Sequence, residues 1–393
     1  MECSAAAVWD DAYLAYDFGE HPLNPVRLDL TVRMARELGV LERLKIEAPK
    51  PADESQLLTI HSADYLQAVR TASADQSFAG FGLGTDDDPV FAGMYDAAAL
   101  IAGGSAQAAL RVWLGETDHA VNIAGGLHHA MRTYASGFCI FNDVVLGIRT
   151  LLDAGAQKVA YVDIDVHHGD GVQAAFYDDP RVLTVSLHQD PRTLFPGTGL
   201  PNEIGSGSAA GTSVNVALPP GTGDVGWLRA FRAVVPGAVR AFAPDVLVTQ
   251  CGCDTHHEDP LANLELTIDG QRAAIGELHK LAHEAASGRW VAYGGGGYGL
   301  VRCVPRTWTH LLAEVSGLQV APETPVPEGW VRHLRERGLR MELPERMGER
   351  PVPEVVPWVP GDSQASSWLD SAISATRRAV FPLLGLDPDD PRD

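Results

Sequence analysis

The apolar run Val159-Ala-Tyr-Val162 leads directly into Asp163-Ile-Asp165-Val-His167-His168-Gly-Asp170. This junction constrains the fold more than any other part of the chain. A buried strand that ends in carboxylates and imidazoles is costly unless something cationic meets them. Alternation along an extended chain sets Asp163, Asp165 and His167 on one side. Gly252-Cys-Asp254 and the pair His128-His129 offer more groups of the same chemistry. Two carboxylates and one imidazole, with a position left for water, make the donor set of a catalytic zinc centre. Asp165, His167 and Asp254 are therefore the candidate ligands, and the chain reads as a metal-dependent hydrolase. Oxygen and nitrogen donors suit Zn²⁺, and also Fe²⁺, Co²⁺ or Mn²⁺.

Short apolar runs alternate with helical patterns. Strands are predicted at 119–124, 158–165, 182–188, 213–218, 245–251 and 289–293. Helices are predicted near 94–114, 141–154, 168–177, 226–242, 267–286 and 300–315. Such alternation implies an α/β fold, a mostly parallel sheet covered by helices on both faces. Pro236 predicts a kink or break in the fourth of these helices. The polar residues follow strand ends, where open parallel sheets hold their ligands. Residues 1–315 read as one catalytic domain. Residues 316–393 read as a Pro-rich extension that packs on it through Trp330, Trp358 and Trp368, with a helix near 363–381.

The chain's 393 residues and 45% apolar content allow a sizeable core. Its net charge of −21 speaks against nucleic acid, which needs a basic face. The same charge is compatible with solubility alone or with attraction of cationic substrates such as basic tails or polyamines. No apolar run is long enough to cross a bilayer. The start, Met1-Glu-Cys-Ser-Ala, lacks a basic segment followed by an apolar core, so a cytoplasmic location is expected. Five scattered cysteines argue against a disulfide framework, and Cys251-Gly-Cys253 reads as two reduced thiols at a strand end.

A hydrolase needs a base to take a proton from water. His128 and His129, behind Gly125-Gly126-Leu127, are the candidates, with Asp163 and Asp170 available to fix their tautomers. Tyr298, in Tyr293-Gly-Gly-Gly-Gly297-Tyr298-Gly299, can donate to a developing oxyanion. The same glycines match G-x-G-x-x-G, a dinucleotide pattern, but the match comes late in the chain and Pro305 interrupts the helix that follows. Phe138 and Phe195 lie in Gly-containing loops, as groove walls or as core.

Together these segments resemble the zinc-dependent histone deacetylase family, and within it the bacterial acetoin-utilisation branch. The resemblance runs from about His21 to Trp308. It includes His21-Pro22-Leu-Asn-Pro25-Val-Arg27, Ile60-His61-Ser-Ala-Asp64-Tyr65, Gly125–Ala130, Asp163–Tyr177, Ser186-Leu-His188, Phe195–Gly199, Gln250–Asp254 and Gly294–Tyr298. It implies an arginase/deacetylase-like three-layer fold and hydrolysis of acetyl-lysine in proteins, or of a small acetylated amine such as an acetylpolyamine. A non-catalytic acyl-lysine binder and a two-metal amidinohydrolase are the lesser alternatives.

By this resemblance Asp165, His167 and Asp254 bind Zn²⁺. His129 is the general base, His128 its charged companion, and Asp163 and Asp170 support the two. Tyr298 polarises the scissile carbonyl. Leu127, Gly137, Phe138 and Phe195 line the acyl-lysine tunnel, Asp87 is the rim carboxylate, and Arg27 belongs to an acetate channel. A structural K⁺ is implied near backbone oxygens around Asp163, Asp165, His167, Phe176 and Ser186. Leu127 stands where many eukaryotic members carry Trp, and Leu194 where some carry a second Phe. His256-His257 after Asp254 follows the bacterial branch.

Overall fold

The computed structural model describes residues 3–339, 342–361 and 367–393. Eight strands form one sheet: β1 (Ala5–Val8), β2 (Lys45–Glu47), β3 (His119–Asn122), β4 (Val159–Asp163), β5 (Val182–Gln189), β6 (Ser213–Leu218), β7 (Val246–Gln250) and β8 (Trp290–Tyr293). Their order is β2-β1-β3-β8-β7-β4-β5-β6, and every pairing is parallel. The helices are α1 (Val26–Glu37), α2 (Glu54–Ile60), α3 (Ala63–Ala74), α4 (Met94–Trp113), α5 (Asp143–Asp153), α6 (Asp170–Phe176), α7 (Asp224–Phe242), α8 (Ile268–Ala285), α9 (Val304–Val315), α10 (Glu328–Glu336) and α11 (Trp368–Val380). This is the arginase/deacetylase-like α/β arrangement.

The middle strands are buried along their whole length, as a sheet covered on both faces requires. After β3 the chain crosses to β4, and β7 and β8 later fill the gap. That reversal of strand order leaves a crevice at the carboxyl ends of β3, β8, β7 and β4. Register draws one row across those ends: Asn122 beside Tyr293, Tyr293 beside Gln250, Gln250 beside Asp163, Asp163 beside Ser186. Segments more than a hundred residues apart in sequence thus end level with one another.

All six strands predicted above form. β1 and β2 were not anticipated. Ala5–Val8 is mostly alanine and Lys45–Glu47 has three residues, two of them charged, so pairing and not local propensity makes them strands. β4 stops at Asp163, two residues earlier than predicted. α7 is not broken at Pro236. Its flanks bury Trp227, Phe231, Val234, Val235, Val239 and Phe242, and that burial outweighs the roughly 3 kcal/mol an internal proline costs. Pro305 does not interrupt α9 but lies in its first turn, where no backbone donor is needed.

Beyond residue 316 the described residues hold more regular structure than the prolines suggest. α10 was not anticipated. Trp330 is fully buried and its Nε1 donates to Leu30 O on α1 at 2.9 Å. α11 packs on α7 and β6, and Thr376 Oγ1 donates to Asn215 O. Trp358 is buried under Arg377, whereas Trp368 is half exposed. The first residues of the helix predicted at 363–381, 363–366, lie outside the described residues.

Three core histidines make the fold sensitive to acid. His61 Nε2 accepts the Asn142 N–H at 3.1 Å, and its Nδ1 faces Met131 O at 3.0 Å, so the ring has no place for a second proton. Burial drives His61 down to about 4, His188 to about 3 and His310 to about 4. In the unfolded chain they titrate near 6.5. Between about pH 6.5 and 4 the unfolded state binds more protons, so stability falls as pH falls through that window. Each ring contributes a loss on the order of 2 kcal/mol by pH 5. Calorimetry is expected to show Tm dropping by roughly 5–10 °C from pH 7 to pH 5. A flat Tm over that range would contradict the assignment of neutral rings.

Candidate active site

The loop after β3 carries the two histidines. Asp143, at the start of α5, accepts the Gly126 N–H at 2.9 Å and the Leu127 N–H at 2.7 Å. Asn142 caps α5 and its Nδ2 donates to His128 O and Ala130 O, both at 3.0 Å. The backbone on either side of the pair is therefore fixed from one helix terminus.

His128 Nδ1 lies 2.7 Å from Asp163 Oδ2, and His129 Nδ1 lies 2.7 Å from Asp170 Oδ1. Each carboxylate holds the Nδ1 proton and leaves Nε2 facing inward. The two Nε2 atoms meet at 3.0 Å. Their charge states separate. Burial alone would lower His128, but Asp163 and Asp165 overcome it and raise the ring to about 9. Burial and the charge on His128 both lower His129, against the pull of Asp170. One ring holds a proton and its neighbour lacks one, the division expected of an acid and a base.

Asp165, His167 and Asp254 are buried, with one donor atom from each within 4.8 Å of the others. His167 Nδ1 is 3.1 Å from Asp165 Oδ1 and 3.1 Å from Asp254 Oδ2. Strand alternation does not account for this convergence, contrary to the sequence reading. β4 ends at Asp163, whose carboxylate turns to His128, and bends after it bring Asp165 and His167 to the cluster. The remaining lone pairs are fixed: Gln250 Nε2 and Gly296 N donate to Asp165 Oδ2 at 2.7 and 2.8 Å, and Val166 N donates to Asp254 Oδ1 at 2.8 Å. Burial and Asp165 push Asp254 well above the ordinary carboxylate range. Burial opposes a charge on His167, yet the two carboxylates raise it to about 10. Buried donors that compete for one proton fit a divalent cation, which takes the proton's place.

The glycine loop after β8 closes over these groups. A Cβ on Gly296 would overlap Asp254 Oδ2, so only glycine lets the backbone reach Asp165. Tyr298 is held by its own N–H donating to Asp259 Oδ2 at 2.8 Å, and its ring meets Phe138 edge-on at 5.7 Å. Arg27, buried on α1, donates from Nη1 to Gly295 O and Gly297 O at 2.8 and 3.1 Å. It lies against Trp308 behind the loop.

A narrow cavity runs between these parts, lined by Leu127, His128, His129, Gly137, Phe138, Asp165, His167 and Tyr298 among others. Phe195 is not among the lining residues; it is 44% exposed, with its ring 5.0 Å from that of His129. Phe138 takes a left-handed φ of 70°, held by Tyr16 OH donating to its carbonyl at 2.8 Å. A Cβ on Gly137 would press on the His129 ring at 2.5 Å, so this position also needs glycine. Asp87 is exposed on the loop beside His21, whose ring packs on Phe138 at 4.5 Å.

Several groups escaped the sequence reading. Tyr161 OH donates to Asp163 Oδ2 at 2.6 Å, one strand repeat before it, a spacing that was visible. Gln250 reaches Asp165 from the end of β7, and Asp143 reaches the histidine loop from the start of α5. Asp259 is raised to about 7 by burial, and Asp88, beside Asp87, to about 8. His168 turns away to Thr198 and Gln173. The cysteines at the end of β7 are buried free thiols.

The histone deacetylase domain model matches residues 21–315. The chain belongs to the histone deacetylase family, so the fold and this site define a deacetylase-type hydrolase, in a family that generally uses a catalytic metal. Among curated proteins it is 42% identical over 329 residues to the acetoin utilization protein AcuC of Bacillus subtilis (strain 168), covering 82% of this chain and 84% of that protein. It is 35% identical over 336 residues to AcuC of Staphylococcus xylosus, covering 84% and 87%. It is 34% identical over 350 residues to AcuC of Staphylococcus aureus (strain MSSA476), covering 88% and 90%. These matches support the acetoin-utilisation branch of the family. No helix among the described residues is long and apolar enough to cross a membrane.

Proposed function

We propose that the protein is a zinc-dependent deacetylase that removes acetyl, or another short acyl group, from lysine side chains of proteins in the cytoplasm. The observation that carries this reading is the split histidine pair next to a buried Asp-His-Asp cluster at the end of a narrow cavity. Asp165, His167 and Asp254 would hold Zn²⁺, with Fe²⁺ or Co²⁺ as substitutes. Bound there, the ion would polarise the carbonyl and acidify water.

The protein groups do the rest. His129, with Nδ1 tied to Asp170, takes a proton from water at Nε2. Tyr298 donates to the carbonyl oxygen as the amide carbon becomes tetrahedral. The C–N bond then breaks, His128 delivers its proton to the amine nitrogen, and acetate leaves. Leu127, Gly137, Phe138 and Phe195 enclose the aliphatic stem, and Asp87 holds the substrate backbone at the rim. Arg27 keeps the glycine loop in place beside a path for acetate. A structural K⁺ near Asp163, Asp165, His167, Phe176 and Ser186, and a catalytic domain of residues 1–315 with 316–393 as an extension, complete the proposal.

The net charge of −21 favours cationic substrates and so also admits a small acetylated amine. An acetate-release screen would compare acyl-lysine peptides with acetylspermidine, with and without chelator. Faster turnover of the peptides, abolished by chelator and restored by Zn²⁺, is expected. Preference for acetylspermidine would replace the substrate, and no release from either with Zn²⁺ restored would overturn the reading.

A further inference from the structure

A second cluster of metal-binding side chains lies at the opposite end of the sheet. His119 opens β3, His279 and His283 project from the last turns of α8, and Cys3 precedes β1. One donor atom from each of Cys3, His119 and His283 lies within 4.8 Å of the others. Cys3 Sγ is 3.8 Å from His283 Nε2, and His279 Nε2 is 3.1 Å from His283 Nε2. Neighbouring donors on a tetrahedral zinc are roughly 3.3 Å apart for nitrogen pairs and somewhat more when one is sulfur, given the usual bond lengths.

The tautomers are also set. His119 Nδ1 faces Val315 O at 3.1 Å and His279 Nδ1 faces Glu314 Oε1 at 2.7 Å, so each ring offers its Nε2 lone pair. His119 Nε2 is buried and has no hydrogen-bond partner. An orphaned polar atom of this kind calls for a ligand. Trp290 stacks on His279 at 5.2 Å and holds the ring in place.

We propose that Cys3, His119 and His283 form a second site for a zinc-type divalent ion, separate from the catalytic cluster, with the fourth position left to solvent. Thiolate and imidazole donors select Zn²⁺, Co²⁺ or a similar transition metal over Mg²⁺ and Ca²⁺. Binding releases the Cys3 thiol proton to solvent. The ion fastens the segment before β1 to the end of α8.

Cobalt distinguishes the two sites, because the Asp-His-Asp cluster has no sulfur ligand. The full chain, reduced, stripped of metal and kept anaerobic in thiol-free buffer, is titrated with Co²⁺. Two ions per chain and a near-ultraviolet thiolate-to-cobalt band are expected. Cys3→Ser should remove the band and one equivalent. Asp254→Asn should remove the other equivalent and keep the band. His283→Ala changes an exposed residue, so folding is spared, and should weaken the band-forming site at least tenfold. Saturation at one ion with no band, or a band that survives Cys3→Ser, would overturn the proposal.

Discussion

Replacing Tyr298 with Phe is expected to lower kcat for acetate release by about 10²–10³-fold, the usual effect of removing one oxyanion donor. The metal content should stay unchanged, because the phenol is not among the cluster donors. KM should change little if the hydroxyl acts on the transition state more than on the bound substrate. The ring would still pack on Phe138 and the backbone N–H would still reach Asp259, so loss of fold would not explain the result. Steady-state kinetics with an acetyl-lysine peptide, together with metal analysis, checks all three points. Turnover within threefold of the parent would remove Tyr298 from the mechanism.

Asp254→Asn should act on stability only through the metal. With metal, the variant loses a ligand and its activity falls to background. Without metal, burial and Asp165 hold Asp254 well above the ordinary carboxylate range, so an amide replaces a protonated acid of the same shape, and its oxygen can keep the hydrogen bond from Val166. The metal-free variant is therefore expected to match the metal-free parent within about 1 kcal/mol, whereas the parent gains stability from added Zn²⁺ that the variant does not. Urea unfolding in chelator and in Zn²⁺ reads both points. A variant several kcal/mol less stable in chelator would show Asp254 to be charged and paired with His167.

The central strands were legible because complete burial leaves a mark: runs such as Val159–Val162 and Val246–Val248 have no polar residue to turn outward. The donor residues were legible because Asp and His at such strand ends need a reason. What could not be read locally depends on crossings. β1 is a strand because β2 and β3 flank it. Gln250 reaches Asp165 only because β7 lies next to β4 in a fixed register. Asp143 reads as an ordinary helix-start acid until its contact with the histidine loop is seen. Strand alternation did not explain how Asp165 and His167 come to face Asp254, since Asp163 supports His128 instead.

The indole of Trp330 is plugged into the side of α1, and Arg27 from that same helix grips the glycine loop of Tyr298. The tail of the protein is thus mechanically in series with its chemistry. A version truncated after Val315 would retain every reacting group and still be expected to turn over more slowly, so shortened forms should be judged by kcat and not by solubility or yield.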